Sequence, residues 1–250
     1  MSHFPEHRVY VEAYGGAMSV LLRKPRCYAE VYTELDGEVV NLFRVIRDPA
    51  MAAQLEQQLR LTPYSRVEYL ASYEPSEDPV EQARRTVVRS AMGFGTTAIC
   101  RNATSFRPDT RRVGGIPAHD WADYPAVLSA ITTRLQGVVI ENRPAIDVMR
   151  AHDSAETLHY VDPPYPHSTR GKRQNRNYRH EMSDDDHREL AAVLRSLEGM
   201  VIVSGYECPL YSHELYADWE CRQRPTFADG ARSRVESLWL SPSVSSRLAR

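Results

Sequence analysis

The feature that most restricts the fold of this chain is an alternation of short apolar strands with helical segments, present at both ends and interrupted in the middle. HRVYVE (7–12) has the make-up of a short buried strand and runs into AYGGA (13–17). MSVLLRK (18–24) reads as a brief helix closed by Pro25, and CYAEVY (27–32) as a second strand leading to the acidic turn TELDGE (33–38). In EVVNLFRVIRD (38–48), Val39, Leu42, Phe43 and Ile46 share one helical face before Pro49 ends the pattern. Strand, glycine turn, helix, strand and acidic turn are the parts of a parallel βαβ crossover.

From 50 to 136 the strand pattern disappears. AMAAQLEQQLRL (50–61), DPVEQARRTVVRSAM (78–92) and WADYPAVLSAITTRLQ (121–136) read as helices, with an Arg-, Gly- and Thr-rich loop, Gly93–Pro117, between the last two. Alternation then resumes: strand 137–141, helix 144–152, strand 157–161, helix Ser183–Leu197, strand 200–204 and a short helix PLYSHELY. Ser183 is a credible N-cap, and three aspartates behind it suit the positive end of a helix. Strands at 219–224 and 235–240 lie close enough for an antiparallel hairpin. The expected fold class is α/β, a Rossmann-like sheet built from residues 1–49 and 137–250, with a mostly helical insertion at 50–136.

At 250 residues, 42% hydrophobic and 26% charged, the chain can bury a core without disulfide or metal staples. No apolar run approaches the roughly 18 residues of a membrane span, and MSHFPEHRVY is polar where a secretory signal is greasy. A monomeric cytoplasmic protein that binds neither membrane nor metal is expected, with Cys27, Cys100, Cys208 and Cys221 reduced and mostly buried. The net charge of −2 singles out no polyanionic partner, but the bases are uneven: Lys24 and Lys172 are the only lysines, and the other 29 bases are Arg. Seven Arg fall between Arg84 and Arg112 against one acid, Asp109; five bases fall between Arg170 and Glu181 against one acid. Such runs are solvated faces or phosphate contacts, and Arg suits bidentate recognition of phosphate and guanine.

The sharpest motif is Asp162-Pro163-Pro164-Tyr165, directly after the strand TLHYV. A proline-rich turn explains it, with Asp as turn-former, yet ligands in open parallel sheets bind beyond strand carboxyl ends, where this motif falls. The chemistry these residue types suit is methylation of an exocyclic amine. The N6 lone pair of adenine is delocalised into the ring. Hydrogen bonds from its NH2 to a carboxylate (Asp162) and to the Pro163 carbonyl would localise that pair for attack on a sulfonium methyl. Restricted φ at Pro163 and Pro164 fixes the carbonyl in advance. Tyr165 offers a ring on which an extruded base stacks.

The second candidate is the loop of Glu12, Tyr14, Gly15 and Gly16, with Glu34 or Asp36 about 20 residues on to hold ribose hydroxyls. A tight turn explains Gly-Gly equally well. Ser204-Gly205-Tyr206 reads as a pocket edge or a β-turn, Glu141 and Asn142 end a strand near the same rim, and Trp121, Trp219 and Trp239 read as core. His152, His159 and His167 lack metal-ligand spacing on one element.

VYVEAYGGAMSVLLRK, AEVYTELDGEVVNLFRVIRD, HYVDPPY and VESLWLSPS together resemble the Dam-type adenine-N6 DNA methyltransferases, especially their phage and prophage branch, over residues 3 to 242. The resemblance implies a class I methyltransferase sheet, S-adenosyl-L-methionine as methyl donor, double-stranded DNA as substrate and base flipping, sometimes within restriction-modification. It carries Asp162, Pro163, Pro164 and Tyr165 over as the catalytic motif, Gly15 and Gly16 as cofactor loop, and Glu34, where the family has Asp, as ribose ligand. It makes the helical middle a target-recognition region. Arg107, Arg111, Arg112, Arg170, Lys172 and Arg173 are the DNA-contact candidates.

Three departures from the family stand out. A glycine-rich segment with an aromatic and a Lys, usual upstream, is not in this sequence: either the start codon is placed late or that side of the pocket is absent. Ala13 replaces a Pro, and Pro144 an acidic residue. The alternatives are a catalytically impaired DNA-binding remnant, or transfer to another amino nitrogen such as cytosine N4, an RNA adenine or a protein amide.

Overall fold

The computed structural model describes residues 3–16, 18–93, 105–110, 115–170, 181–228 and 232–249. They fall into two compact units: one takes the chain up to Leu35 and again from Gly137 on, the other Asp36–Gln136.

The first unit is a seven-stranded mixed sheet, confirming the expected α/β class. Its strands are β1 (Val9–Ala13), β2 (Ala29–Thr33), β3 (Val138–Glu141), β4 (Thr157–Val161), β5 (Met200–Tyr206), β6 (Glu220–Ala228) and β7 (Arg232–Leu240), in the order β3-β2-β1-β4-β5-β7-β6. The first five are parallel; β7 runs antiparallel between β5 and β6. Because side chains alternate across a strand, Val11, Val31, Val161, Val201 and Val203 all face one way. They pack on Val148 and Met149 of α6 (Ala145–Ala151) and on Leu190, Ala191 and Leu194 of α7 (Asp184–Ser196). The other parity carries Tyr10, Glu12, Tyr32 and Tyr160, a polar and aromatic face. The α7 start is a capping box: Ser183 Oγ accepts from the Asp186 amide at 3.2 Å, and the Asp186 carboxylate accepts from the Ser183 amide at 2.7 Å. A closing helix, α8 (Pro242–Leu248), follows β7.

The second unit packs α1 (Gly37–Arg47), α2 (Pro49–Leu61), α3 (Arg66–Ala71), α4 (Pro79–Met92) and α5 (Pro117–Leu135) around Val45, Leu55, Leu59, Tyr69, Val87 and Trp121. The α1 helix belongs to it, so the compact helical unit begins at Asp36 where the sequence reading starts the insertion at 50. Buried Val45 and Ile46 of α1 face other helices rather than the sheet.

Some local expectations fail. Residues 18–24 form hydrogen-bonded turns, with Met18 at φ 53°, in place of a helix; seven residues stopped by Pro25 are too few to offset helix nucleation. Of the described cysteines only Cys208 is buried; Cys27 is half-buried and Cys221 exposed. Trp121, Trp219 and Trp239 are core as expected. No described helix is long and apolar enough to cross a membrane.

Candidate active site

β1 and β4 are parallel neighbours, and the last pair in their register is Ala13 with Val161. The sheet continues to β2 on one side and β5 on the other. Strand order therefore reverses here, the point where an open α/β sheet leaves a crevice beyond its carboxyl ends. Tyr14, Gly15 and Gly16 leave β1, and Asp162 to Tyr165 leave β4, side by side. The Asp162 amide donates to the Ala13 carbonyl at 3.3 Å.

Period two puts Asp162 on the face of Glu12 and Tyr160. The pairing of Val161 with Val203 sets Ser204 across from it. The Ser204 and Tyr165 hydroxyls lie near enough to the Asp162 carboxyl to favour its ionised form. Its Oδ1 is buried without a hydrogen-bond partner, a costly state for an acceptor unless a ligand completes it. Burial pushes the Asp162 carboxyl up to about 6, the nearby Ser204 and Tyr165 hydroxyls oppose it, and Glu236 adds a smaller upward push. Asp162 and Tyr165 are half-buried, whereas Pro163, Pro164 and Pro166 are buried. The Tyr165 ring meets Tyr206 edge-on, centroids 4.8 Å apart. Ser204-Gly205-Tyr206 is thus the end of β5, forming one edge of the site, and is no turn.

The glycine loop is held from within. Gly15 donates to Thr33 O at 3.2 Å, Gly16 donates to Glu34 Oε2 at 2.9 Å, and Tyr32 Oη donates to Gly16 O at 2.7 Å. A Cβ on Gly15 would lie 2.0 Å from the Tyr32 ring. Protein packing alone requires that glycine. Gly16 has φ +48°, and a Cβ there would meet nothing within 4 Å. Tyr14, also at positive φ, packs partly against the core.

The acids divide. Glu12 is buried; its carboxyl accepts from Tyr10 Oη at 2.7 Å, and burial raises it to about 7 against that bond and the nearby Leu21 and Val20 amides. Glu34 braces Gly16 and its own neighbour Leu35. Asp36 accepts from the Glu38 amide at 2.9 Å as the N-cap of α1, in the second unit. Glu141 pairs with Thr33, and Asn142 Nδ2 donates to Glu34 O at 2.7 Å, so that pair reinforces the same rim.

Of the DNA-contact candidates, Arg111, Arg112, Lys172 and Arg173 lie outside the described residues. Arg107 is half-buried, its carbonyl accepting from Tyr64 Oη. Arg170 departs from expectation: its side chain is 5% exposed, paired with Glu181 at 2.6 Å and bonded to the Tyr165 carbonyl. The basic run from Arg84 is also partly internal, because Arg84 and Arg85 pair with Glu81, and Arg89 with Glu38. Counting charge in sequence could not separate these from solvent-facing arginines. Sequence reasoning also missed Tyr160, Tyr10 and Tyr32, although their alternation with Asp162 and Glu12 was the available signal. Among the described residues no cluster of His, Cys, Asp or Glu could hold a metal ion.

A family model described as D12 class N6 adenine-specific DNA methyltransferase matches residues 1–222. No curated protein matches the chain.

Proposed function

Since the chain belongs to the D12 class N6 adenine-specific DNA methyltransferase family, we propose that it moves a methyl group directly from S-adenosyl-L-methionine to N6 of an adenine flipped out of duplex DNA, with Asp162-Pro163-Pro164-Tyr165 as the catalytic motif. The observation that carries this reading is the Ala13–Val161 register, which sets the glycine loop beside an Asp162 whose Oδ1 has no partner.

The residues fit the cofactor. Open backbone space at Gly16, the Glu34 carboxylate beside it and the half-buried Tyr14 would hold the nucleoside end. Buried Glu12 keeps the adjoining turn in place. When bound, S-adenosyl-L-methionine supplies an electrophilic methyl on a positively charged sulfur.

The chain's own groups act on the acceptor. Asp162 Oδ1 takes one hydrogen bond from the adenine amine and the Pro163 carbonyl takes the other, so the nitrogen pyramidalises and its lone pair is freed. The buried prolines keep that carbonyl in place. The Tyr165 ring, steadied edge-on by Tyr206, stacks on the base. Asp162, or a water beside it, receives the proton that the methylated amine sheds. Residues 50–136 serve target recognition, and Arg111, Arg112, Lys172 and Arg173 hold phosphates.

Asp162→Ala tests the reading. Radiolabelled methyl transfer to duplex DNA should vanish while DNA affinity stays within a few-fold, because the lost interaction is with the reacting amine. Transfer that survives largely intact refutes the assignment.

A further inference from the structure

The segment after β4 has an unusual difficulty in holding its shape. Pro163, Pro164 and Pro166 have no N–H, so between Asp162 and His167 only the Tyr165 amide can donate from the backbone. A loop so short of donors must be fixed through its carbonyls. The structure supplies such fixtures. Thr169 donates twice to the Pro166 carbonyl, from its amide at 3.0 Å and its hydroxyl at 2.8 Å, in a 3-10 turn at His167–Thr169. Arg170, just beyond that turn, sends its Nη2 back to the Tyr165 carbonyl. Its Nη1 is held by Glu181 Oε2 at 2.6 Å, with the guanidinium side chain 5% exposed. A guanidinium can serve both partners at once because its donors form a rigid planar fork.

We propose that Arg170, held by Glu181, is a positioning residue for methyl transfer: it fixes the Tyr165 carbonyl, and through it the ring on which the base stacks and the Pro163 carbonyl behind it. This rests on the functional reading above and reassigns Arg170 from phosphate contact to the catalytic loop. Its burial suits this role better than a phosphate contact, since a charge already paired and shielded from water gains little from a further anion. Arg170 and Glu181 also flank Lys172, Arg173, Arg176 and Arg179 in sequence, so the pair ties the catalytic loop to both ends of the most basic stretch of the chain.

The test compares wild type with Arg170→Lys and Glu181→Gln, and adds Arg170→Ala as the variant that removes the charge. Single-turnover methyl transfer gives the rate at saturating DNA, and titrations at several salt concentrations give affinity and salt slope. A duplex with 2-aminopurine at the target position reports flipping and stacking by fluorescence. Arg170→Lys and Glu181→Gln should both lose about ten- to a hundredfold in rate, the range expected when a reacting group is misplaced by around 1 Å. DNA affinity should stay within about threefold, the salt slope should not change, and the 2-aminopurine signal should differ from wild type. Lysine keeps the charge but cannot bridge both partners; glutamine keeps the volume of Glu181. Near-wild-type rates in both variants overturn the inference. So does a normal rate at saturation with weakened affinity and a salt slope lower by about one in Arg170→Ala, the signature of a phosphate contact. Thermal unfolding below the assay temperature in both variants would make the pair merely structural, which also overturns it. Wild type without any transfer defeats the functional reading and this inference together; wild type active with both variants equally active defeats this inference alone.

Discussion

The Asp162–Ser204 contact predicts how activity depends on pH. Burial raises the Asp162 carboxyl to about 6, against the restraining influence of the Ser204 and Tyr165 hydroxyls. The ionised carboxylate is both the better acceptor for the amine and the form that takes its proton. Single-turnover transfer should therefore be flat above pH 7 and fall about tenfold per unit well below 6. A hydrogen bond to a charged group contributes about 1.5–3 kcal/mol, equivalent to about 1–2 pH units at 1.36 kcal/mol each. Ser204→Ala leaves the Tyr165 hydroxyl in place, so the limb should move upward by roughly one unit, toward pH 7. The assay is radiolabelled methyl transfer from a preformed complex between pH 4.5 and 8.5, with folding followed in parallel. Glu12 is the competing source of such a limb, since burial raises it to about 7. A limb set by Glu12 would stay fixed in Ser204→Ala. A fixed limb, or one moved to lower pH, refutes the role given to the Asp162 carboxylate.

The same shift has a consequence for stability. A carboxyl whose folded pKa lies above its unfolded value favours the fold below about pH 4 and loses that advantage as pH rises through 6. Asp162→Asn should therefore stabilise the fold at pH 8 by on the order of 2–3 kcal/mol, with no gain at pH 3.5, while abolishing transfer; denaturant unfolding at both pH values decides it. Gly15→Ala places a Cβ against the buried Tyr32 ring and should cost about 1–3 kcal/mol. Gly16→Ala meets only backbone strain at φ +48° and should cost about 1 kcal/mol; the reverse order in chemical denaturation would contradict the packing. Glu81, held by Arg84 and Arg85, is depressed to about 2, so it supports the helical unit above about pH 4.5 and loses that support as pH falls through 2. Glu81→Gln should flatten the acid limb of helix content by roughly 1–2 kcal/mol, and an unaltered limb would show the pairs contribute nothing.

What residue order alone determines here is what depends on near neighbours. β4 comes out at Thr157–Val161 because TLHYV is an unbroken run ending at a proline motif, and α7 starts behind Ser183 because a cap and three aspartates satisfy local amides. Asp162 and Tyr165 could be nominated because their chemistry is written in four adjacent residues. Where short pieces must be stabilised by distant ones, sequence misleads: residues 18–24 lack the length for a helix, and α1 joins the helical unit because its apolar face finds partners there. Only the tertiary structure puts Ser204 on Asp162, Tyr32 against Gly15 and Arg170 on Tyr165, since strand register and burial set which atoms meet. A run of arginines reads the same whether each guanidinium faces water or a carboxylate. The fold decides, because desolvating that charge is tolerable only beside a partner such as Glu181 or Glu81.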